Sequence, residues 1–348
     1  MRQIPLGSTD IMITDYCLGT MTWGNQTPED DAHRQMDMAL DAGITIVDTA
    51  EMYPVNPVSA ETVGLTETIL GNWNAANPGR RGDYVLASKI TGTNAKFVRP
   101  GQDITGETFT EALDASLARL RTDVIDVYQM HWPNRGSYHF RQAWTYDPSG
   151  QDREATLANM RDVLEAADRA VTAGKIRHLA LSNDSAWGTA QWMRLAETHG
   201  LPRVQSIQNE YSLLCRHFDT DLAELAVNEQ VTLLAYSPLG AGLLTGKYQD
   251  GALPEGSRMA LNGNLGGRKT DRAFAAVAAY LALAEKHGLD PVHMALAFTV
   301  QRPFPVSTIF GATTSKQLAH TLQGLDVTLP EALLEEINTT HKAHPMPY

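Results

Sequence analysis

The chain is poor in cysteine: only Cys17 and Cys215 occur in its 348 residues. Two thiols cannot build a disulfide framework, neither sits in a metal-ligand spacing, and such usage suits a reducing cytoplasm. Positive charge is also scarce, with 28 Lys and Arg against 40 Asp and Glu, for a net charge of −12. That balance excludes nucleic acid as a main partner, because phosphate backbones demand a basic face. No apolar run is long enough to cross a bilayer, and the opening MRQIPLGSTDIM lacks a signal-peptide core, so no membrane association is expected. The histidines are scattered, with no HExxH or His-x-His pattern, so no metal is expected. A glycine-rich phosphate fingerprint after the first strand is missing too. The run AGLLTGKY at 241–248 imitates a P-loop, but Ala241 replaces its first glycine and Tyr248 its Ser/Thr.

What is present is a regular alternation. Short β-type runs occur at Tyr16–Gly19, Thr45–Asp48, Tyr84–Lys89, Ile125–His131, Ile176–Ser182, Val204–Asn209, Thr232–Tyr236 and Val306–Gly311. Amphipathic stretches separate them, at 30–42, 107–120, 155–173, 187–199, 218–229 and 271–287. Leu113, Leu117 and Leu120 share one helical face, and glycines 43, 174, 200 and 288 stand where helices stop. Eight strands with helices between them and no Pro/Ser-rich linker predict one domain over 1–348, a closed (β/α)8 TIM barrel. A doubly wound open sheet is the competing arrangement. The segment Gln3–Thr14, with a Gly7-Ser8 turn, reads as an N-terminal β-hairpin plugging the barrel's bottom.

Three long connections, 54–66, 132–154 and 240–270, all follow strands and so fall on the C-terminal face of a barrel, where active sites are built. The middle one carries Trp132, Tyr138, Phe140, Trp144 and Tyr146, either a self-packed loop or the wall of a substrate pocket.

Strand ends supply the chemistry. The stretch IVDTAEMYP sets Asp48 and Tyr53 directly after an apolar strand; the next two strands end at Lys89 and at His131. Taken singly, each has a plain reading as a cap or a packing residue. Together at one mouth they form a coherent acid site. A phenol is a poor acid at neutral pH, an ammonium beside it favours the phenolate, a carboxylate holds the ammonium, and an imidazole orients a carbonyl. Such a site protonates a developing alkoxide and needs a cofactor to deliver hydride. Ser182-Asn183 and Gln208-Asn209 offer amides and a hydroxyl that match a carboxamide, Tyr236 offers a ring face, and the turn after it offers backbone N–H groups. The run Gly311-Ala312-Thr313-Thr314-Ser315 at a helix start reads as an anion site or as a plain capped turn.

These motifs, with LGTMTWG at 18–24, HWP at 131–133, GKIR at 174–177, QNxYSLL at 208–214 and YSPLG at 236–240, resemble the aldo-keto reductase superfamily along the whole chain. The insert before Gly64-Leu65-Thr66-Glu67-Thr68 resembles its Tas-like branch, close to the potassium-channel β-subunit-like reductases. The resemblance implies an NADPH-dependent reductase of small carbonyl compounds, with Tyr53 as general acid, Lys89 and Asp48 tuning it, and His131 orienting the substrate. It also permits a redox-sensing regulatory subunit that binds NADP(H) with little turnover, and a homo-oligomer.

By the same resemblance Ser182, Asn183 and Gln208 hold the nicotinamide carboxamide and Tyr236 stacks on the ring. Ser237, Leu239, Gly242 and Lys247 line the pyrophosphate, Arg258 closes a strap over it, and Thr20, Met21 and Gln26 touch the cofactor from the first loop. Apart from the resemblance, the placing of the aromatic residues suggests a substrate pocket lined by Trp23, Trp132 and Trp144 with Tyr53 and His131. At the adenosine end the chain departs from many relatives. Its turn is Gln317-Leu318-Ala319-His320-Thr321, Gly311 stands where some relatives carry lysine, and Thr313, Lys316 and Gln317 are left to serve the 2′-phosphate.

Overall fold

A computed structural model describes residues 1–348. Strands β1 (Gln3–Pro5) and β2 (Met12–Thr14) pair antiparallel as the expected hairpin. The next eight strands are β3 (Tyr16–Gly19), β4 (Ile46–Asp48), β5 (Val85–Ile90), β6 (Ile125–Met130), β7 (Ile176–Ser182), β8 (Val204–Glu210), β9 (Thr232–Tyr236) and β10 (Val306–Phe310). All pair in parallel in chain order, and β10 bonds both β9 and β3, so the sheet closes into a barrel. That closure excludes the open doubly wound sheet.

The strand pleat sorts side chains in two directions. Cys17, Ile46, Ala87, Val127, Ala180, Leu234 and Ile309 fill the interior, and Leu6 and Ile13 of the hairpin close it from below. The outward set, including Leu18, Val47, Leu86, Tyr128 and Leu181, packs against the surrounding helices in a second, larger core. The hairpin is pinned at the bottom where Gly7 donates to Thr232 Oγ1 at 2.8 Å and Ser8 to Gln205 Oε1 at 3.0 Å.

Helices omitted from the periodicity reading cover Leu65–Ala76, Pro291–Val300, Ser315–Leu322 and Glu331–Ala343. The first packs on the helix Gly106–Leu120 through Gly71, where a Cβ would stand 2.0 Å from the Arg119 carbonyl oxygen. No helix is long and apolar enough to cross a membrane.

Candidate active site

The pleat also fixes what faces the mouth. Two residues above the interior Ile46, Ala87 and Val127, the same inward direction presents Asp48, Lys89 and Gln129. Lys89, fully buried, donates from Nζ to Asp48 Oδ2 at 2.7 Å, to the Thr49 carbonyl at 2.7 Å and to Tyr53 Oη at 3.5 Å. Its ammonium also lies 4.9 Å from the centre of the Tyr53 ring. The His131 ring meets Tyr53 edge to face at 5.8 Å, and its Nδ1 is buried without a protein partner. All four predicted catalytic side chains therefore come together.

Their electrostatics follow from burial and charge. Burial pushes the Tyr53 phenol above its ordinary value; the Lys89 ammonium pulls it back, and Asp48 adds to the rise. The expected downward pull of Lys89 is thus present but outweighed, and the phenol keeps its proton. For Lys89, burial opposes the charge, but Asp48 and then Tyr53 more than offset this and the ammonium is held above its usual range. Burial, and secondarily Lys89, drives His131 well below the usual histidine value, so the imidazole is neutral.

Sequence reasoning missed Gln129. It donates to Asp48 Oδ1 at 3.1 Å, and Gln208 donates to the same oxygen at 2.8 Å and to Gln129 Oε1 at 3.2 Å. Period two counted upward from Val127 would have marked it as inward-facing.

The remaining cofactor candidates gather around this mouth. Thr20 donates from both N and Oγ1 to the Asp48 carbonyl, tying the first loop to β4. Asn183 donates to the His131 carbonyl at 2.9 Å and to Ser182 Oγ at 3.0 Å, and accepts from Tyr236 Oη at 2.7 Å. Ser182 in turn donates to the Gln208 carbonyl at 2.8 Å. After β9 the backbone turns through positive φ at Ser237, Gly240, Ala241 and Gly242, with Leu239 within that turn. A Cβ on Gly242 would sit 3.2 Å from Lys247 Nζ, so an ammonium stands beside this turn. The 240–270 connection then crosses the mouth: Arg258 reaches Met21 Sδ at 3.7 Å, and Asn262 donates to Asn56 Oδ1 at 3.4 Å. Gln26 donates to the Asn56 carbonyl at 3.5 Å, and its Oε1 is buried without a partner.

At the far end Thr313 donates from N and Oγ1 to Gln317 Oε1, both at 3.0 Å, and Thr321 Oγ1 donates to the Gln317 carbonyl at 3.1 Å. Asp31 occupies part of this helix start, accepting from Ser315 N at 2.9 Å and Oγ at 2.6 Å. Gly311 admits no side chain in place, since a Cβ would lie 2.6 Å from the Gly19 carbonyl oxygen.

Two of the three tryptophans expected at the pocket have other partners. Trp23 is wholly buried in the core and donates to Gln35 Oε1 at 3.3 Å. Trp144 is 62% exposed and packs with the Arg272 guanidinium 5.8 Å over its ring. Trp132 does stand next to His131, at 5.0 Å between ring centres, braced by Phe140 and by its bond to the Thr93 carbonyl. A cavity of about 450 Å³ lies outside the barrel between Met130, Leu181 and the helix Arg153–Thr172; Tyr53, Lys89 and His131 do not line it.

A closed parallel barrel whose mouth joins a phenol, an ammonium, a carboxylate and a neutral imidazole has the groups needed to give a proton to a developing alkoxide. The chain belongs to the aldo/keto reductase family, whose model matches residues 16–342. It is 45% identical to Protein tas of Escherichia coli over 99% of both chains. An uncharacterized oxidoreductase of Bacillus subtilis, YrpG, is 30% identical over 97% of this chain and 95% of its own. A probable voltage-gated potassium channel subunit beta of Arabidopsis thaliana is 29% identical over 99% and 98%.

Proposed function

We propose that this chain, acting as one unit over residues 1–348, reduces aldehydes and ketones to alcohols with NADPH, and that Tyr53 is the general acid. The observation carrying this reading is the buried Lys89 ammonium, held by Asp48 at 2.7 Å and directed at the Tyr53 hydroxyl. The residues present suit a nicotinamide dinucleotide. The left-handed turn at 240–242, with Lys247 beside it and Arg258 over the mouth, matches a pyrophosphate. The unpartnered Oε1 of Gln26 and Oδ1 of Asn209 are buried polar atoms that a ligand can satisfy.

When bound, the cofactor supplies the hydride. The protein supplies the rest. Neutral His131 hydrogen-bonds the substrate carbonyl oxygen and points it at Tyr53. As the oxygen becomes an alkoxide, the Tyr53 hydroxyl gives it a proton and the phenolate left behind is stabilised by Lys89. Asp48, braced by Gln129 and Gln208, keeps Lys89 in place. Ser182, Asn183 and Gln208 hold the carboxamide and Tyr236 faces the ring. Thr20 and Met21 approach from the first loop; Ser237 and Leu239 line the pyrophosphate. Thr313, Lys316, Gln317 and Thr321, with the backbone of Gly311, take the adenosine end and its 2′-phosphate.

The purified chain is expected to oxidise NADPH in the presence of 4-nitrobenzaldehyde or methylglyoxal, with kcat/KM higher for NADPH than for NADH. Tight NADPH binding without turnover would favour the regulatory-subunit reading, and equal use of NADH would overturn the 2′-phosphate assignment.

A further inference from the structure

On the flank of β10, away from the mouth tetrad, two helices bring together three metal-ligating side chains. We propose that Asp290, His293 and His320 form a binding site for a late first-row divalent metal ion of the zinc type. One ligand atom of each residue lies within 4.8 Å of those of the other two.

Asp290 and His293 are each held by further hydrogen bonds. Asp290 caps the helix Pro291–Val300: its Oδ1 accepts from Val292 N at 2.8 Å and His293 N at 3.2 Å. Its Oδ2 is left to face His320 Nε2 at 3.1 Å. The Nε2 of His293 bonds the His320 carbonyl oxygen at 2.8 Å. A carbonyl only accepts, so Nε2 carries the proton and Nδ1 keeps the lone pair. A second hydrogen bond that fixes the tautomer of a ligating imidazole is the usual arrangement around bound metals. Gly324 completes the support, since a Cβ there would be 2.2 Å from the His293 ring and would evict it. The two imidazoles lie face to face at 4.9 Å between centres.

Two imidazole nitrogens and one carboxylate oxygen suit Zn²⁺ and its neighbours, and do not suit Mg²⁺ or Ca²⁺, which demand more oxygen ligands. Tetrahedral zinc sets its ligand atoms about 3.3 Å apart, so a cluster that spans up to 4.8 Å must draw together on binding. Asp290 and His293 are half-buried and His320 exposed, which leaves the outermost ligand free to make that movement and the fourth position open to water. A bound ion would tie the start of Pro291–Val300 to the helix Ser315–Leu322.

The test is a Zn²⁺ titration of the tag-free chain against a chromogenic chelator at neutral pH, with Mg²⁺ as the control ion. One equivalent of Zn²⁺ is expected to bind, and H293A, H320A and D290N are each expected to weaken it by about tenfold or more. D290N keeps an Asn cap on the helix, and metal-free thermal unfolding of each variant checks that it folds. Retention of wild-type affinity in the H293A/H320A double variant would place the ion elsewhere and overturn the proposal. So would wild-type protein that takes up Zn²⁺ no better than Mg²⁺.

Discussion

The side chains of the mouth act through their protonation states, and these set a pH signature. As the proposed general acid, Tyr53 would serve only while it holds its proton, so the reductive rate is expected to be lost as pH rises through its folded-state pKa. Burial puts that pKa above the ordinary phenol value of 10.0, and His131 sits well below the ordinary 6.5. Neither group titrates between those two values. The expected kcat for reduction is therefore level across that whole interval, with an alkaline fall beginning only above it. A limb with its midpoint near 7 would show that His131 carries a proton in the working site and would contradict the account. Most of this set was legible as residue types at strand ends, because polarity begins abruptly where β4 leaves the apolar interior at Asp48. Two of the expected pocket residues were harder to place. Trp23 lies in the LGTMTWG motif and Trp144 in the aromatic-rich connection 132–154, but one ring is claimed by the core and Gln35, the other by Arg272. Neither packing partner is visible in a one-dimensional pattern.

Elements were readable where one face only is buried. All eight barrel strands lie where apolar runs end in polar or glycine residues. The helix Pro291–Val300 was not readable, because eight of its ten residues are buried and an element apolar on nearly all sides has no period to detect. Leu65–Ala76 hides for the opposite reason. Its buried face includes Glu67, which accepts from Ser88 Oγ at 2.5 Å and pairs with Arg119 at 2.7 Å, and Asn74, which bonds the Leu120 carbonyl. A polar face satisfied by a neighbouring helix looks like a solvent face in sequence. That contact leaves no room at Gly71. Gly71→Ala is expected to force the two helices apart and lower unfolding stability by about 3 kcal/mol, read as an earlier urea midpoint. An unchanged midpoint would mean that the helices repack without strain.

At the scale of the whole molecule, strand order brings four separately unremarkable residues together, because Asp48, Lys89 and His131 stand on or just past the directly paired strands β4, β5 and β6. Asp48, Lys89 and Gln129 come from three successive strands and make up the polar layer of the mouth: parallel pairing sets Lys89 level with Gln129 and Asp48 level with Ala87, one inward step below Lys89, whose Nζ reaches the Asp48 carboxylate. The two residues that bracket this layer, Tyr53 and His131, lie just beyond strand ends, where the loops can bring them into edge-to-face contact. The order of motifs carried the barrel and the mouth; the brace of Gln129 and Gln208 on Asp48 needed the closed sheet to be seen. The most direct measurement is NADPH oxidation with 4-nitrobenzaldehyde by the Tyr53→Phe variant, with NADPH binding followed separately by fluorescence. Loss of turnover by about a thousandfold with cofactor affinity unchanged is the predicted result, since removal of a general acid typically costs 10²–10⁴. Turnover within a few-fold of wild type would contradict the assignment of Tyr53 as the acid.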